Sequence, residues 1–179
     1  MNTCLRPVAE QDAAALFALV DAHRAALASW LPWVAATHSQ QDSLAFLQHS
    51  AVARQQGSQY DWLILVDGQL AGVCGLHSVS AANRRACVGY WLAPPYVGRG
   101  VMQAALQQLC GQAFGTLGLQ RLVIDPALAN VRSIAVAQRA GFRFEGILRQ
   151  HLWLHGQAHD AACYSLLATE WAVRQHGQA

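Results

Sequence analysis

The chain has no lysine. All twelve of its basic residues are arginine, and of its ten acidic residues only Glu10, Glu145 and Glu170 are glutamate. Charged residues make up 12% of the 179, about half the roughly 25% of an ordinary soluble domain. No basic run exceeds Arg84-Arg85, which excludes an electrostatic nucleic-acid track. The 54% apolar content excludes a disordered chain, and no repeat or low-complexity linker is visible. Long apolar runs are also missing. The richest, Ala25 to Ala36, is broken by Ser29 and Pro32 and falls short of the roughly 18–20 residues of a membrane span. The start, Met1-Asn2-Thr3-Cys4-Leu5-Arg6-Pro7, carries no apolar leader. Close cysteine pairs are lacking too. Cys4, Cys74, Cys87, Cys110 and Cys163 are odd in number and scattered, as expected for reduced thiols in a cytoplasmic protein. The length predicts one domain over residues 1–179.

What is present is periodicity. Residues 3–8 alternate and predict a strand. Leu16, Leu19, Val20, His23 and Leu27 share a helical face, with Asp12 at the helix start. Trp30-Leu31-Pro32-Trp33 interrupts, and a second helix is predicted over about 41–55 with Leu44, Leu47 and Ala51 inward. Trp62-Leu63-Ile64-Leu65-Val66 is a short unbroken apolar run, typical of a buried central strand. Asp67-Gly68 predicts a hairpin turn into a strand over 70–79, and Ala81-Ala82-Asn83 a second turn into a strand over 85–93. A helix over 99–117 carries Met102, Ala105, Leu106, Leu109, Cys110 and Ala113 on one face and stops at Gly118. The strand at 120–125 should run parallel to 85–93, because a helix joins them. A short helix over 131–140 ends at Gly141, and strands at 142–153 and 161–168 follow. The fold class is α+β: a mixed, mostly antiparallel sheet of six or seven strands, flanked by helices, with one β-loop-α-β unit at its centre.

The stretch Gly89-Tyr90-Trp91-Leu92-Ala93-Pro94-Pro95-Tyr96-Val97-Gly98-Arg99-Gly100-Val101-Met102 delivers a strand to a two-glycine loop that opens a helix. Unpaired N–H groups and partial positive charge at a helix start suit a phosphate or pyrophosphate. Gly98 and Gly100 allow close backbone approach and Arg99 adds a cation; an ordinary connector with turn glycines is the plainer alternative. There is no Gly-Lys-Ser/Thr, so this is not a Walker loop, and the glycine spacing is not that of a dinucleotide fold.

These residues resemble motif A of the GNAT superfamily of acetyl-coenzyme A-dependent N-acetyltransferases. Leu5-Arg6-Pro7, Trp30-Leu31-Pro32-Trp33, and Asn130-x-x-Ser133 leading to Ala140-Gly141-Phe142-x-Phe144-Glu145-Gly146 narrow the resemblance to the RimJ/RimL type, which acetylates protein N-termini, ribosomal proteins included. It covers the chain to about Leu167. It implies that the pyrophosphate of acetyl-coenzyme A rests on amides of Val97, Gly98, Arg99, Gly100, Val101 and Met102. It further implies that the pantetheine arm runs along Trp91, Leu92 and Ala93, that Asn130 touches that arm, and that Ser133 lies near the cofactor sulfur.

The chain departs from the pattern at three places. Val97 stands where Gln or Arg is usual, and Met102 replaces a small residue. Cys87 occupies the position of a glutamate that is a candidate general base in relatives. An α-amine, near pKa 8, is partly neutral at pH 7 and needs less help than a lysine near 10.4. Water, His77 or His151 could take the proton, a structural role being the other reading of each histidine. The resemblance implies direct attack in a ternary complex, with Ser133 as a proton donor to the thiolate and an amide near Leu92 at the oxyanion; Asn130 and Ser133 also suit helix capping. The expected acceptor is a protein or peptide N-terminus. A small amine such as an antibiotic, polyamine or amino-acid derivative is the alternative, and a non-catalytic acyl-coenzyme A binder a third. Homodimers are common in the family; no nucleic-acid or membrane partner is expected.

Other residues weigh less. His151, His155 and His159 recur every four residues, a metal face on a helix. The extended Leu152-Trp153-Leu154 and the following Gly156 instead predict strand and turn, with His151 and His155 some 13 Å apart, so no metal site is expected. No Cys–His nucleophile pair is legible. The tryptophans at 30, 33, 91 and 153 are expected in core or cleft walls. Asp160 suits a turn or a contact with an incoming amine.

Overall fold

In the computed structural model, residues 1–176 are described. Seven strands form one mixed sheet in the order β1-β2-β3-β4-β5-β7-β6. β1 (Thr3–Pro7), β2 (Tyr60–Val66), β3 (Gln69–Ser80) and β4 (Arg85–Leu92) are successively antiparallel. β5 (Arg121–Ile124) lies parallel to β4, and β7 (Gln157–Leu167) separates it from β6 (Arg143–Leu154) at the edge.

The unbroken apolar run in β2 has a simple cause: both faces of the sheet are covered there. Trp62, Ile64 and Val66 pack toward α4 (Val101–Gly111), with Leu106, Leu109, Leu122 and Leu166 fully buried in the same cluster. Leu63 faces the other way, against Leu16 of α1 (Ala13–Ala22) and Leu47 of α3 (Gln40–Gln55). Each such side chain, fully buried, contributes about 1.5–3 kcal/mol. Asp67 and Gly68 both adopt positive φ, 48° and 81°, which makes the β2–β3 hairpin tight.

Several expectations are revised by packing. The first helix breaks at His23, and α2 (Arg24–Ala28) continues on a new axis. Ala51 of α3 is exposed; Ser43, Ser50 and Ala53 are buried with Leu47 instead, because β2 presents a polar partner, Asp61, beneath that helix. The long helix passes into a π-helical turn, Gln112–Thr116. β7 begins at Gln157 rather than 161, since the Leu154–Gln157 hairpin pairs at once. After α5 (Val131–Ala140), capped by Gly141 at φ 91°, a sixth helix over Ala168–His176 was unforeseen; Trp171 ties it to Phe114. Trp153 is 70% exposed and Trp30 is also exposed, so neither belongs to the core. Among the described residues, no helix is long and apolar enough to cross a membrane.

Candidate active site

The site begins where two parallel strands part. β4 pairs with β5 only over Arg85–Cys87, yet runs on to Leu92. Beyond Cys87 the edge of β4 toward β5 is therefore open. Ala93 N–H donates to Ala71 O at 2.8 Å. In an antiparallel ladder alternate residues bond the same neighbour, so Trp91 and Ala93 face β3, while the N–H and C=O of Tyr90 and Leu92 point into the opening. Gly72 sits opposite Leu92, where a Cβ would strike the Trp91 carbonyl, so glycine keeps these strands in register.

At the top of β4, Pro94–Tyr96 form a short 3-10 turn, followed by Gly98 at φ 77° and Gly100 at φ 78°. Nothing lies within 4 Å of a Cβ placed on either glycine. Both are therefore required by conformation rather than by packing, and the space above the loop is open. Gly100 caps α4, whose first-turn N–H groups have no intrahelical acceptor. Among the described residues, the Arg99 guanidinium is bonded only to Pro95 O, 3.3 Å away. Val97 N–H is already committed to Pro94 O at 3.1 Å. Val101 and Met102 bury their side chains in the core, so only their backbone faces the loop. This arrangement fits a pyrophosphate and an extended amide-bearing arm.

Across the opening stands the start of α5. Asn130 is its cap: Oδ1 accepts the Ser133 N–H at 3.1 Å. The Ser133 hydroxyl is 2.8 Å from the Tyr90 phenol oxygen, which is also 3.3 Å from Ser133 O, so the single phenol proton serves one of the two oxygens. Burial pushes the Tyr90 phenol up to about 12, offset in part by the Ser133 bond, so it stays a neutral hydrogen-bonding group. Tyr90 lies within the motif, but no local pattern assigns it a role, because its contact lies 43 residues away.

Cys87 is half-buried, and burial first, then Asp125, pushes its thiol up. Both effects disfavour the thiolate. His77 is its cross-strand partner, with the imidazole lying against Gly89. His77, Gly89 and Trp91 line a cavity of about 540 Å³ walled by Leu16, Val20, Trp33 and Phe46, with Asp42, Gln59 and Asp61 as polar lining. Trp33 and Trp91 meet there at 6.0 Å between ring centroids. His151 lies outside this cavity, its Nε2 2.7 Å from Asp125 Oδ2 at the end of β5. A carboxylate only accepts, so Nε2 carries the hydrogen. His155 contacts Ser29 O at 3.2 Å, in the hairpin turn, and His159 lies on β7. Asp160 accepts the Gln150 N–H at 2.8 Å and holds the irregularity in β6.

Glu145, the one glutamate of the motif region, is bound bidentately by Arg121 and accepts from Ser165 Oγ at 2.6 Å. These bonds, the one from Arg121 first, hold its carboxyl down to about 2. It joins β5, β6 and β7 and takes no part in proton transfer. Its stabilisation is complete above the ordinary 4.5 and is lost as pH falls toward 2. Replacing Glu145 by Gln should lower stability at pH 7 by about 1 kcal/mol, a figure discounted for solvent exposure. In thermal melts the gap to the wild type should close between pH 4.5 and pH 2; a gap that persists at the acid end sinks the assignment.

Comparison with known proteins places this geometry. A family model described as an acetyltransferase (GNAT) domain matches residues 2–143. The chain is 43% identical over 108 residues to a putative ribosomal N-acetyltransferase, YdaF, of Bacillus subtilis; that match spans 60% of this chain and 59% of the relative. It is 30% identical over 161 residues to the ribosomal-protein-serine acetyltransferase of Escherichia coli, spanning 90% of each. A solved structure of RimL, a ribosomal alpha-N-protein acetyltransferase in complex with coenzyme A, superposes with a TM-score of 0.90 at 30% identity, over 95% of this chain and 96% of that one.

Proposed function

The chain belongs to the GNAT acetyltransferases, a family whose donor is acetyl-coenzyme A, and on that footing we propose that it acetylates the α-amine of a protein or peptide N-terminus. The carrying observation is that one strand serves both sides. The open edge of β4 and the glycine loop face the donor side, and Gly89 and Trp91 of the same strand wall the 540 Å³ cavity on the acceptor side. Relatives named for ribosomal proteins support the choice of acceptor.

When bound, acetyl-coenzyme A supplies a thioester for direct attack by the amine. The first-turn amides of α4, the backbone of Gly98 and Gly100, and Arg99 hold the pyrophosphate. The outward groups of Tyr90 and the Leu92 carbonyl would bond the pantetheine arm as a neighbouring strand would, which leaves the Leu92 N–H for the thioester oxygen. The Leu92 N–H is directed where oxyanion charge develops. Asn130 uses Oδ1 for its helix, which leaves Nδ2 for the arm. Gathering both reactants on β4 removes most of the orientational entropy from the barrier. His77 takes the amine proton from the cavity side, and Ser133 Oγ holds a proton for the departing sulfur, backed by the Tyr90 phenol.

Ser133→Ala should lower kcat about tenfold while changing coenzyme A affinity less than about twofold, as expected for loss of a proton donor. Steady-state kinetics beside calorimetric titration checks this; unchanged kcat removes the role.

One observation favours a second acceptor. The cavity has a volume typical of small-molecule sites and is largely apolar, which suits a small amine. Thiol release from acetyl-coenzyme A, measured against N-terminal peptides and small amines, decides. Release with peptides alone supports the first reading, and release with small amines alone supports the second. Cofactor binding with no release from any acceptor overturns both.

A further inference from the structure

The acceptor cavity contains a carboxylate that the transfer chemistry does not use. Asp61 on β2 is only 7% exposed, yet it lines the cavity. Two donors, Ser50 Oγ at 2.6 Å and Gln59 Nε2 at 2.7 Å, both bind the same oxygen, Oδ2. Among the described residues, Oδ1 has no hydrogen-bond partner and Asp61 forms no ion pair. Arg54 forms no ion pair with the carboxylate: its guanidinium donates to the Asp61 backbone carbonyl and lies over the rings of Tyr60 and Trp62. The other titratable groups lining the cavity are Asp42, engaged with the backbone of His38 and the backbone and hydroxyl of Ser39, His77, and the Tyr90 phenol, engaged with Ser133. A buried carboxylate without a cation is costly unless a ligand supplies one.

Glycine is what makes room for it. Gly75 is the cross-strand partner of Asp61, and a Cβ at 75 would run into Asp61 Oδ1, so the carboxylate lies over Gly75. Gly89 is in turn the partner of Gly75, so the row from Asp61 to β4 carries no side chain on β3 or β4, with the His77 imidazole beside Gly89. The aromatic walls Trp33, Trp91 and Phe46 further favour a cation over an anion.

We propose that Asp61 is a specificity residue that binds a second positive charge on the acceptor, so that the preferred substrate is a primary amine carrying another cationic group. Two strand spacings separate Asp61 from β4, and three residues separate Gly89 from Leu92, which sets the two charges on the order of 10–15 Å apart. A peptide with a basic residue near its N-terminus and a linear polyamine share this chemistry. The identification of the reacting group as an amine rests on the acetyl-transfer reading; the cation site itself does not.

Binding is tested first, without turnover. The full chain is titrated calorimetrically with 1,8-diaminooctane and with 1-aminooctane. The diamine should bind at least about tenfold more tightly, the scale of one charge-assisted contact. Asp61→Asn should erase that difference, and Ser50→Ala, which keeps the charge, should retain it. Equal binding of the two amines by the wild type, or a preference that survives Asp61→Asn, overturns the proposal; the wild-type comparison needs no variant to fold. Turnover then separates the sources. Peptides with lysine or norleucine at the third position are compared, and a lysine preference lost in Asp61→Asn, through KM rather than kcat, assigns a peptide acceptor. A preference confined to the diamine assigns a polyamine. Diamine binding that depends on Asp61, with no acetylation of any amine, would overturn the acetyl-transfer reading and leave the cation site standing.

Discussion

Replacing Gly100 by valine is expected to weaken coenzyme A binding on the order of 100-fold while leaving the fold intact, because strain of about 1–3 kcal/mol falls on the loop alone. Gly100 sits at φ 78°, where a β-branched side chain is a steric outlier. No atom lies within 4 Å of the added Cβ, so the substitution creates no clash with the core and removes no packing. Its whole effect is to drive the backbone out of the left-handed region. Gly100 is the N-cap of α4, so that movement turns the first-turn amides away from the pyrophosphate. Alanine at the same position is less strained and should lose about tenfold. Calorimetric titration with coenzyme A, beside a thermal melt, reads both quantities. Normal affinity in the valine variant would show that the cofactor does not sit on this loop.

His77→Gln should reduce kcat/KM on the order of 100-fold at pH 7, the lower range for loss of a general base. Glutamine keeps hydrogen-bonding capacity but cannot accept the proton. His77 is the candidate base that lines the proposed acceptor cavity, opposite Cys87. The defect should depend on pH in a defined direction. An α-amine of pKa about 8 is already neutral at pH 9.5, so no base is needed to generate the nucleophile, water or hydroxide takes the proton released on attack, and most of the loss should be recovered. A defect of equal size at both pH values would mean that the ring only shapes the cavity. His151→Gln, on the other side of β5 and held by Asp125, should change kcat/KM less than about threefold, since it lies outside the cavity. If His151 carries the large loss instead, the proton leaves past Asp125 and His77 is structural.

Much of this was legible from residue order. Asp67-Gly68 encodes a hairpin because only such a pair adopts two positive φ values cheaply. The strand, two-glycine loop and helix from Gly89 onward are local in the same sense, as are the Asn130 cap and the Gly141 stop. Each depends on atoms a few residues apart. Residue identity also bears on the proposed mechanism: the chain has only three glutamates, and position 87 is a cysteine.

The remaining features depend on residues that only folding brings together. The parting of β4 from β5 after Cys87 follows from how short β5 is and from where β7 takes over its other edge, which no local period encodes. Tyr90 reaches Ser133 across 43 residues, Arg121 reaches Glu145 across 24, and His155 reaches Ser29 across 126. Asp61 reads in sequence as a polar residue at the start of an apolar strand. Only the sheet sets Gly75 beside it and leaves one carboxylate oxygen open to a cavity. Sequence alone determined the class of fold, the two-glycine loop at the head of α4 and the cysteine at position 87, because turn chemistry, helix termini and residue identity are local. Tertiary structure decided which strand edge is free, which histidine faces the acceptor and which carboxylate is left without a cation, because those depend on register and on what packs above each face.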